Sequence, residues 1–411
     1  LSNHVLEEAR KCLGCKKPRC KAACPVSTEI PEVISLFLNG EIEEAGEKLF
    51  NNNPLSVICS LVCPHEKQCE GNCVLNAKKN PVHFGDVENY ISNFYIHKAF
   101  SKSKIDKDKR VAIIGSGPAG ITISILLAQK GYNVTIFEAH DKIGGVLRYG
   151  IPEFRLSRDI LDNIKEKLVE MGVKIRPNTM IGPYITIDDL FRDGYKAIFI
   201  GTGVWNPRTL NVKGETLGHV HYGIDYLKNP DVYDLGDRVT VVGAGNAAMD
   251  VARTAIRKGA KEVYVMYRKG EIDAPAEKLE VEYAKLDGVK FLYYKNPLEI
   301  LEDGIRYEET KEVFDAEGNR TVTIDKGKEG VFNTDSVIIA VSQGPRSNIV
   351  STTKGINTLS SGLVHVDECG RTSREGVFAS GDVVTGAKTV VEAVRLSKKV
   401  AEAIDEYINS I

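Results

Sequence analysis

VAIIGSGPAGITISILLAQKGYNVTIFE, running from Val111 to Glu138, reads as strand, glycine turn, helix and strand. Its turn, Gly115-Ser116-Gly117-Pro118-Ala119-Gly120, is a complete G-x-G-x-x-G. Gly115 makes the tight turn, Gly117 lets the backbone approach a pyrophosphate, and Gly120 permits close packing of helix on strand. The pyrophosphate would lie at the helix N-terminus, where free N–H groups and the helix dipole favour an anion. Glu138 ends the second strand, 18 residues past Gly120, where a carboxylate can accept hydrogen bonds from a ribose diol. A plain glycine turn is the bland alternative, but the strand–helix context and the acidic partner argue for a dinucleotide.

The same grammar returns from Arg238 to Lys269: RVTVVG, AGNAAMDVARTAIRKG, then EVYVMYRK. Its turn is Gly243-Ala244-Gly245-Asn246-Ala247-Ala248, a G-x-G-x-x-A. Here the second strand runs into Arg268 and Lys269 where an NAD site carries Asp or Glu. A missing carboxylate and an available guanidinium suit a 2′-phosphate, because arginine pairs bidentately with phosphate oxygens. Arg253, in the intervening helix, is expected to reach the same phosphate. NADPH is therefore favoured, with NADH as the alternative; two solvated loop charges are the bland reading.

Upstream lie eight of the chain's 9 cysteines. Cys12, Cys15, Cys20 and Cys24 are spaced C-x2-C-x4-C-x3-C, with Pro25 next; Cys59, Cys63, Cys69 and Cys73 are spaced C-x3-C-x5-C-x3-C, with Pro64 after the second. Thiolates are soft ligands, and this density suits iron–sulfur clusters or zinc. Spacing alone leaves both open. Two nucleotide modules on the same chain favour clusters, since zinc has no redox role to play beside them.

The totals agree with a globular chain. At 411 residues, two to four domains are expected, and 42% hydrophobic with 27% charged residues is ordinary. A net charge of −2 gives no sign of a nucleic-acid or membrane surface. The start, LSNHVLEEARK, has no apolar signal region, and no apolar run approaches the ~18 residues of a membrane span. A cytoplasmic location is expected, where disulfides are disfavoured.

Alternation of strand and helix predicts parallel sheets. Residues 1–100 form a helical, cysteine-rich segment. Within it Ser27 or Thr28 can cap a helix with Pro31 in its first turn and Val33, Ile34, Phe37 and Leu38 on one face, and a second helix covers Asp86 to Phe100. The charged stretch 101–110 reads as a linker. Between Phe291 and Ala340 short strands and turns are expected. The end, from SREGVFASGDVVTG onward, is assigned back to the first nucleotide unit. The fold class is thus α/β: a helical iron–sulfur segment followed by two Rossmann-like dinucleotide-binding domains, the second inserted in the first. The boundaries are 111–228 with 335–411 for the first and 229–334 for the second.

GSGPAG, Glu138, Gly144-Gly145 and the late Gly381-Asp382 resemble the pattern of two-dinucleotide-domain flavoproteins. That resemblance implies FAD at the first turn, with Asp382 near the ribityl chain. It also aims the N-terminus of a helix starting near Thr389 at the flavin pyrimidine, where it favours the anionic reduced form. The order of the two cysteine runs, GSGPAG, GGVLRYGIPEFRL, VVGAGNAAMD and FASGDVVTGAKTVVEAV is similar to one family. It comprises the glutamate synthase small subunit, the N-terminal half of dihydropyrimidine dehydrogenase and the large subunit of the bifurcating NADH-dependent ferredoxin:NADP oxidoreductase. This likeness covers essentially the whole chain. It implies two [4Fe-4S] clusters with crossed ligands: Cys12, Cys15, Cys20 and Cys73 on one, Cys24, Cys63, Cys69 and Glu88 on the other. Cys59 becomes a spare thiol. The wording around Glu88, PVHFGDVENY, departs from the family's usual form. Arg155, in IPEFRL, would touch the FAD, and the glycine turns at Gly201-Thr202-Gly203 and AVSQGP (340–345) would cover the two dinucleotides.

The resemblance implies an NAD(P)H-oxidising electron-transfer subunit that feeds a separate catalytic subunit or a ferredoxin-type acceptor. The glutamate synthase small-subunit type is the first expectation. A two-chain dihydropyrimidine dehydrogenase or a bifurcating transhydrogenase is the alternative. No catalytic side chain is needed for hydride transfer, and the cysteine-rich segment is the expected exit for electrons. No C-x-x-C stands beside the second turn, so a dithiol relay is excluded, and Cys369 reads as a passive thiol. The roughly 30 residues after Gly381-Asp382 leave no room for a ~250-residue catalytic barrel. The histidines show no ligand spacing, and His219-x-His221 reads as a loop feature.

Overall fold

The computed structural model describes residues 3–98, 104–315 and 317–411. They form two compact units: Leu1–Arg148 with Glu153–Val204 and Pro345–Ile411, and Tyr149–Pro152 with Trp205–Gly344.

The chain opens on helices α1 (Asn3–Arg10), α2 (Arg19–Ala23), α3 (Ile30–Leu38), α4 (Ile42–Asn52), α5 (Ser56–Val62) and α6 (Phe84–Ile96). Val5, Ala9, Val33, Ile34, Phe37, Leu49, Val87 and Ile91 form their core, with Cys12, Cys20 and Cys73 packed against it. Helices this short are not stable alone, so the burial they share must hold them. Helix α3 is capped by neither expected hydroxyl: Glu29 is the N-cap, and the Thr28 hydroxyl is engaged by Cys24 and Asn52. Leu38 is exposed, because the helix ends there and the chain turns at Gly40. Helix α6 starts two residues earlier than expected and stops at Ile96. The final expected residues, 99–100, lie outside the described residues.

The expected linker is a strand in its second half; its first residues, 101–103, lie outside the described ones. Strand β1 (Asp106–Ile114) begins where the Asp106 N–H donates to Gly131 O at 2.8 Å. Helix α7 (Pro118–Gln129), β2 (Tyr132–Phe137), α8 (Val146–Tyr149), α9 (Arg158–Glu170), β3 (Lys174–Arg176), α10 (Ile187–Arg192) and β4 (Ala197–Ile200) follow. Helix α7 is apolar almost all round, because it lies between the sheet and another helix.

The second unit contains β5 (Asn206–Pro207), β6 (Val220–Tyr222), α11 (Gly223–Lys228), β7 (Arg238–Val242), α12 (Asn246–Arg257), β8 (Glu262–Tyr267), α13 (Lys278–Leu286) and β9 (Lys290–Tyr293). Then come β10 (Lys295–Leu301), β11 (Gly304–Phe314), β12 (Arg320–Asn333), β13 (Ser336–Ile339) and β14 (Gln343–Gly344). Its parallel sheet has the order β6-β13-β7-β8-β9. Strands β10 to β12 form an antiparallel sheet whose first hairpin turns at Glu302-Asp303. This sheet packs on the parallel one through Ile300 and Ile305 against Val242, Met266 and Val337. His221 lies on strand β6 rather than in a loop and packs edge-on to Tyr233 at 5.0 Å.

The chain then returns to the first unit with β15 (Val377–Ala379), α14 (Asp382–Thr385) and α15 (Val390–Ser410). The first sheet has the order β15-β4-β1-β2-β3, every pair parallel. So the second dinucleotide fold is inserted in the first. The junctions fall at Val204/Trp205 and Gly344/Pro345, not at 228/229 and 334/335. The reason is strand pairing: β6 and β13 are hydrogen-bonded into the sheet of β7. Among the described residues no helix is long and apolar enough to cross a membrane.

Candidate functional site

At the first turn four backbone segments converge. Gly115 has φ 96°, and a Cβ there would lie 2.7 Å from Gly201 O. A Cβ on Gly120 would lie 2.0 Å from Gly115 O, and one on Gly145 would lie 2.8 Å from Gly117 Cα. A Cβ on Gly381 would lie 3.0 Å from Ala119 Cβ. Around Gly117, by contrast, nothing lies within 4 Å of such an atom. This is a cradle closed on its protein sides and open at the one glycine meant to approach a pyrophosphate. Pro118 starts α7 directly after Gly117, where its missing N–H leaves nothing unsatisfied.

Glu138 is 4% exposed. The Ser116 N–H donates to its Oε2 at 2.9 Å, and the His140 N–H donates to its Oε1 at 2.8 Å. Burial alone would raise this carboxyl, but the donors from His140 and Ser116 outweigh it and hold it below the ordinary range. The carboxylate thus ties the turn to the strand end. Sequence reading missed Ser116 and His140; the only signal was their closeness to the motif. Arg155 lies half-buried in the loop before α9. Thr389 caps α15: its hydroxyl accepts from the Glu392 N–H while the Glu392 carboxylate accepts from the Thr389 N–H.

Asp382 follows Gly381, and its Oδ1 accepts from the Lys388 N–H at 3.1 Å. Burial pushes its carboxyl up to about 6 against that donor. A raised carboxyl pKa means the folded chain binds the proton more tightly than the unfolded one. That contribution to stability is present below the ordinary pKa and is lost as pH rises through about 6. In flavin-free protein, Asp382→Asn therefore gains on the parent by up to about 3 kcal/mol between pH ~4 and ~7. Urea midpoints at the two pH values check this; a difference independent of pH refutes it.

The second turn repeats the first. Gly243 has φ 126°, and a Cβ there would lie 2.4 Å from Ala340 O, whereas Gly245 has only Pro275 at 4.0 Å. Asn246 begins α12, followed by Ala247, and its Oδ1 accepts from the Glu277 N–H at 2.8 Å. Arg268 is exposed just after β8, and among the described residues no hydrogen bond or ion pair engages its side chain or that of Lys269. Their backbone is held from β11 and from the turn before β10: Arg268 O accepts from the Thr310 hydroxyl at 2.6 Å and Lys269 O from the Tyr294 N–H at 3.2 Å. Arg253 contradicts its expected role. It is 7% exposed and donates to Asp287 at 2.9 Å and Glu280 at 3.2 Å. Its helix face turns toward α13, so two carboxylates hold it instead of a phosphate.

Two groups of thiols can be told apart by their neighbours, and Cys69 belongs to both: it lines one cavity with Cys12, Cys15, Cys20, Cys73, Ile30, Ile34 and Phe84, and its charge acts on Cys63. Burial pushes the Cys20 thiol up to about 11; Lys21 N–H opposes this, and Cys73 and Cys12 add to it. In the other group Cys63 is raised well above the ordinary thiol range, first by Cys59, then by burial, Glu88 and Cys69. Cys69 is raised by burial first and then by Glu88, Glu70 and Cys24. Glu88 is 6% exposed, and among the described residues no hydrogen bond or ion pair engages it. Burial, with Cys59 adding, raises its carboxyl far above the ordinary range. A buried carboxylate among thiols with no donor or cation against it fits a metal ligand, since a bound metal would supply the missing positive charge. Cys59 is 2% exposed in the same group.

One dinucleotide fold inserted in another, behind a thiol-rich helical segment, defines an oxidoreductase. The chain belongs to the pyridine nucleotide-disulphide oxidoreductase family, whose model matches residues 77–190 and 109–396. Residues 1–100 match the model described as dihydropyrimidine dehydrogenase domain II, 4Fe-4S cluster. The small chain of NADPH glutamate synthase from Escherichia coli is 32% identical over 98% of this chain and 91% of its own. The dihydropyrimidine dehydrogenase subunit PreT of Salmonella typhimurium is 30% identical over 98% and 94%. The structure of FprA from Mycobacterium tuberculosis with NADPH shares the fold, with TM-score 0.62 at 18% identity over 74% of this chain and 85% of that one.

Proposed function

We propose that the chain takes hydride from NADPH onto FAD and sends electrons through two [4Fe-4S] clusters to a separate catalytic subunit of glutamate synthase type. The flavin supplies the conversion from paired to single electrons, and the clusters carry them. The protein's part is to bind and orient. N–H groups of the Gly115–Gly120 turn receive the FAD pyrophosphate, Glu138 the ribose and Asp382 the ribityl chain. Arg155 and the Gly145 loop complete that pocket. The N-terminus of α15 at Thr389 favours the anionic reduced ring. Gly243, Gly245, Asn246 and Ala247 receive the NADPH pyrophosphate. Cys12, Cys15, Cys20 and Cys73 hold one cluster; Cys24, Cys63, Cys69 and Glu88 hold the other.

The observation that supports this reading is the gathering of Cys12, Cys15, Cys20, Cys69 and Cys73 around one cavity in the same compact unit as the turn left open at Gly117. Anaerobic titration with NADPH, alongside iron content, tests it: flavin bands and a broad shoulder must bleach, with about eight irons per chain. Zinc in place of iron, or no bleaching, refutes it. Glutamate formed from glutamine and 2-oxoglutarate with an added large subunit identifies the acceptor; pyrimidine reduction with the other partner type would replace it.

Arg268 and Lys269 supply the preference for NADPH. Arg268→Ala with Lys269→Ala raises KM for NADPH about 10- to 100-fold, a loss of about 1.5–3 kcal/mol of charge-assisted hydrogen bonding. The NADH KM and both kcat values stay level, because the 2′-phosphate is remote from the transferred hydride and binds equally in ground and transition state. Steady-state kinetics with an artificial acceptor reads both. Equal losses for the two nucleotides would assign the pair another role.

A further inference from the structure

A file of donors runs from the long C-terminal helix to one thiol of the cysteine-rich segment, all within one compact unit. Lys398 Nζ, on α15, donates to Asn52 Oδ1 at 2.9 Å and to Asn52 O at 2.8 Å. Asn52 Nδ2 donates to Thr28 Oγ1 at 3.2 Å, and Thr28 Oγ1 stands 3.4 Å from Cys24 Sγ. Asn52 is the last residue of α4, so the ammonium also meets the negative end of that helix. Thr28 is 3% exposed, which makes its hydroxyl's choice of partner structural rather than a surface accident.

The other side of α15 is committed to the flavin cradle. Ser397 Oγ lies 2.8 Å from Ser380 Oγ, both buried, and Ser380 precedes the Gly381-Asp382 turn. Ala393 is 4.0 Å from the position of a Cβ on Gly381. Consecutive residues of one helix, Ser397 and Lys398, thus grip the flavin-side turn and the thiol-side chain. The Lys398 ammonium is lowered by burial and pulled back up by Glu402 and Cys24, so its charge is felt at that sulfur.

We propose that Thr28, Asn52 and Lys398 form a donor chain onto the Cys24 sulfur that raises the reduction potential of the cluster Cys24 ligates. This rests on the reading above that Cys24 is a ligand. An iron-bound thiolate is an acceptor only, so the Thr28 hydroxyl must point its proton at sulfur. Its oxygen then accepts from Asn52, whose carbonyl accepts from the ammonium; each donor polarises the next. Reduction adds one electron to the cluster and takes up no proton, and the added negative charge is stabilised by donors to its ligand sulfur and by a nearby cation. Thr28 and Lys398 act through Cys24 and are positioning residues. They would make the Cys24 cluster the better acceptor for electrons leaving the flavin.

The test is a redox titration of holoprotein followed by electron paramagnetic resonance, for Thr28→Val, Thr28→Ser, Lys398→Met and Cys24→Ala. Thr28→Val is expected to lower the reduced-to-oxidised ratio of one cluster signal about tenfold at fixed potential, about 59 mV for one electron. Lys398→Met moves the same signal the same way by about threefold, Thr28→Ser restores it, and iron content stays level in all three. Unmoved midpoints in Thr28→Val and Lys398→Met, with one signal lost in Cys24→Ala, overturn the donor chain alone. Full iron and all signals in Cys24→Ala overturn the ligand reading and the inference with it.

Discussion

Gly120→Ala yields a chain that purifies without flavin and melts far below its parent. The added Cβ would lie 2.0 Å from Gly115 O and 3.0 Å from Gly115 C, both backbone atoms. No rotamer relieves such a contact, so the turn itself must move. It has nowhere to go: Gly115 already sits at φ 96° against the Gly201 carbonyl. Overpacking of this kind costs about 3 kcal/mol or more, and it displaces the N–H groups that receive the pyrophosphate. Gly117→Ala is the instructive contrast. Its backbone is extended, at φ −73° and ψ −171°, and its Cβ meets nothing within 4 Å. The flavin-free Gly117→Ala protein should match the parent in stability and lose only affinity for FAD. Melting of flavin-free proteins and flavin content after purification read the two effects separately. Gly120→Ala that keeps its flavin and its melting point contradicts the close-packing role given to this glycine.

Cys73→Ala is expected to remove about half of the iron, although Cys12, Cys15 and Cys20 stay in place. Cys73 lines the same cavity as those three, with Cys69 beside it, and its charge acts on both Cys12 and Cys20. A cluster short of one thiolate is exposed to solvent and lost, and because ligand and fold are coupled in such small helical segments, the melting point falls too. Cys59→Ala serves as the counterpart. That thiol is buried beside Cys63 and lies outside the proposed ligand set, so iron content should stay level. Loss of iron from Cys59→Ala, or retention of all iron in Cys73→Ala, means the thiols are shared out differently.

Much of this architecture was legible in the sequence because it is written at short range. A β-branched run, a glycine turn and an apolar helix specify a nucleotide-binding unit within about 30 residues, and both such units form as read. The nature of the thiol ligands was equally plain, since softness belongs to the side chain and not to its surroundings. The errors lie where distant residues meet. Arg253 looked available to a phosphate because nothing nearby in sequence opposes it; Glu280 from α13 and Asp287 at its end neutralise it in the fold. The domain junctions moved because strand order places β13 beside β7 and β6 beside β13, and pairing between strands so far apart leaves no local mark.

The sequence by itself therefore determined the class of the molecule: two dinucleotide folds, soft thiol ligands and a cation pair where an NAD site has an acid. Each follows from the identity or spacing of residues within one element. Only the tertiary structure decided which thiols share a cavity, why Glu88 is stripped of donors, and how Lys398 reaches toward Cys24 through Asn52 and Thr28. Burial and hydrogen bonding between segments hundreds of residues apart depend on the whole packed chain, and no local pattern carries them.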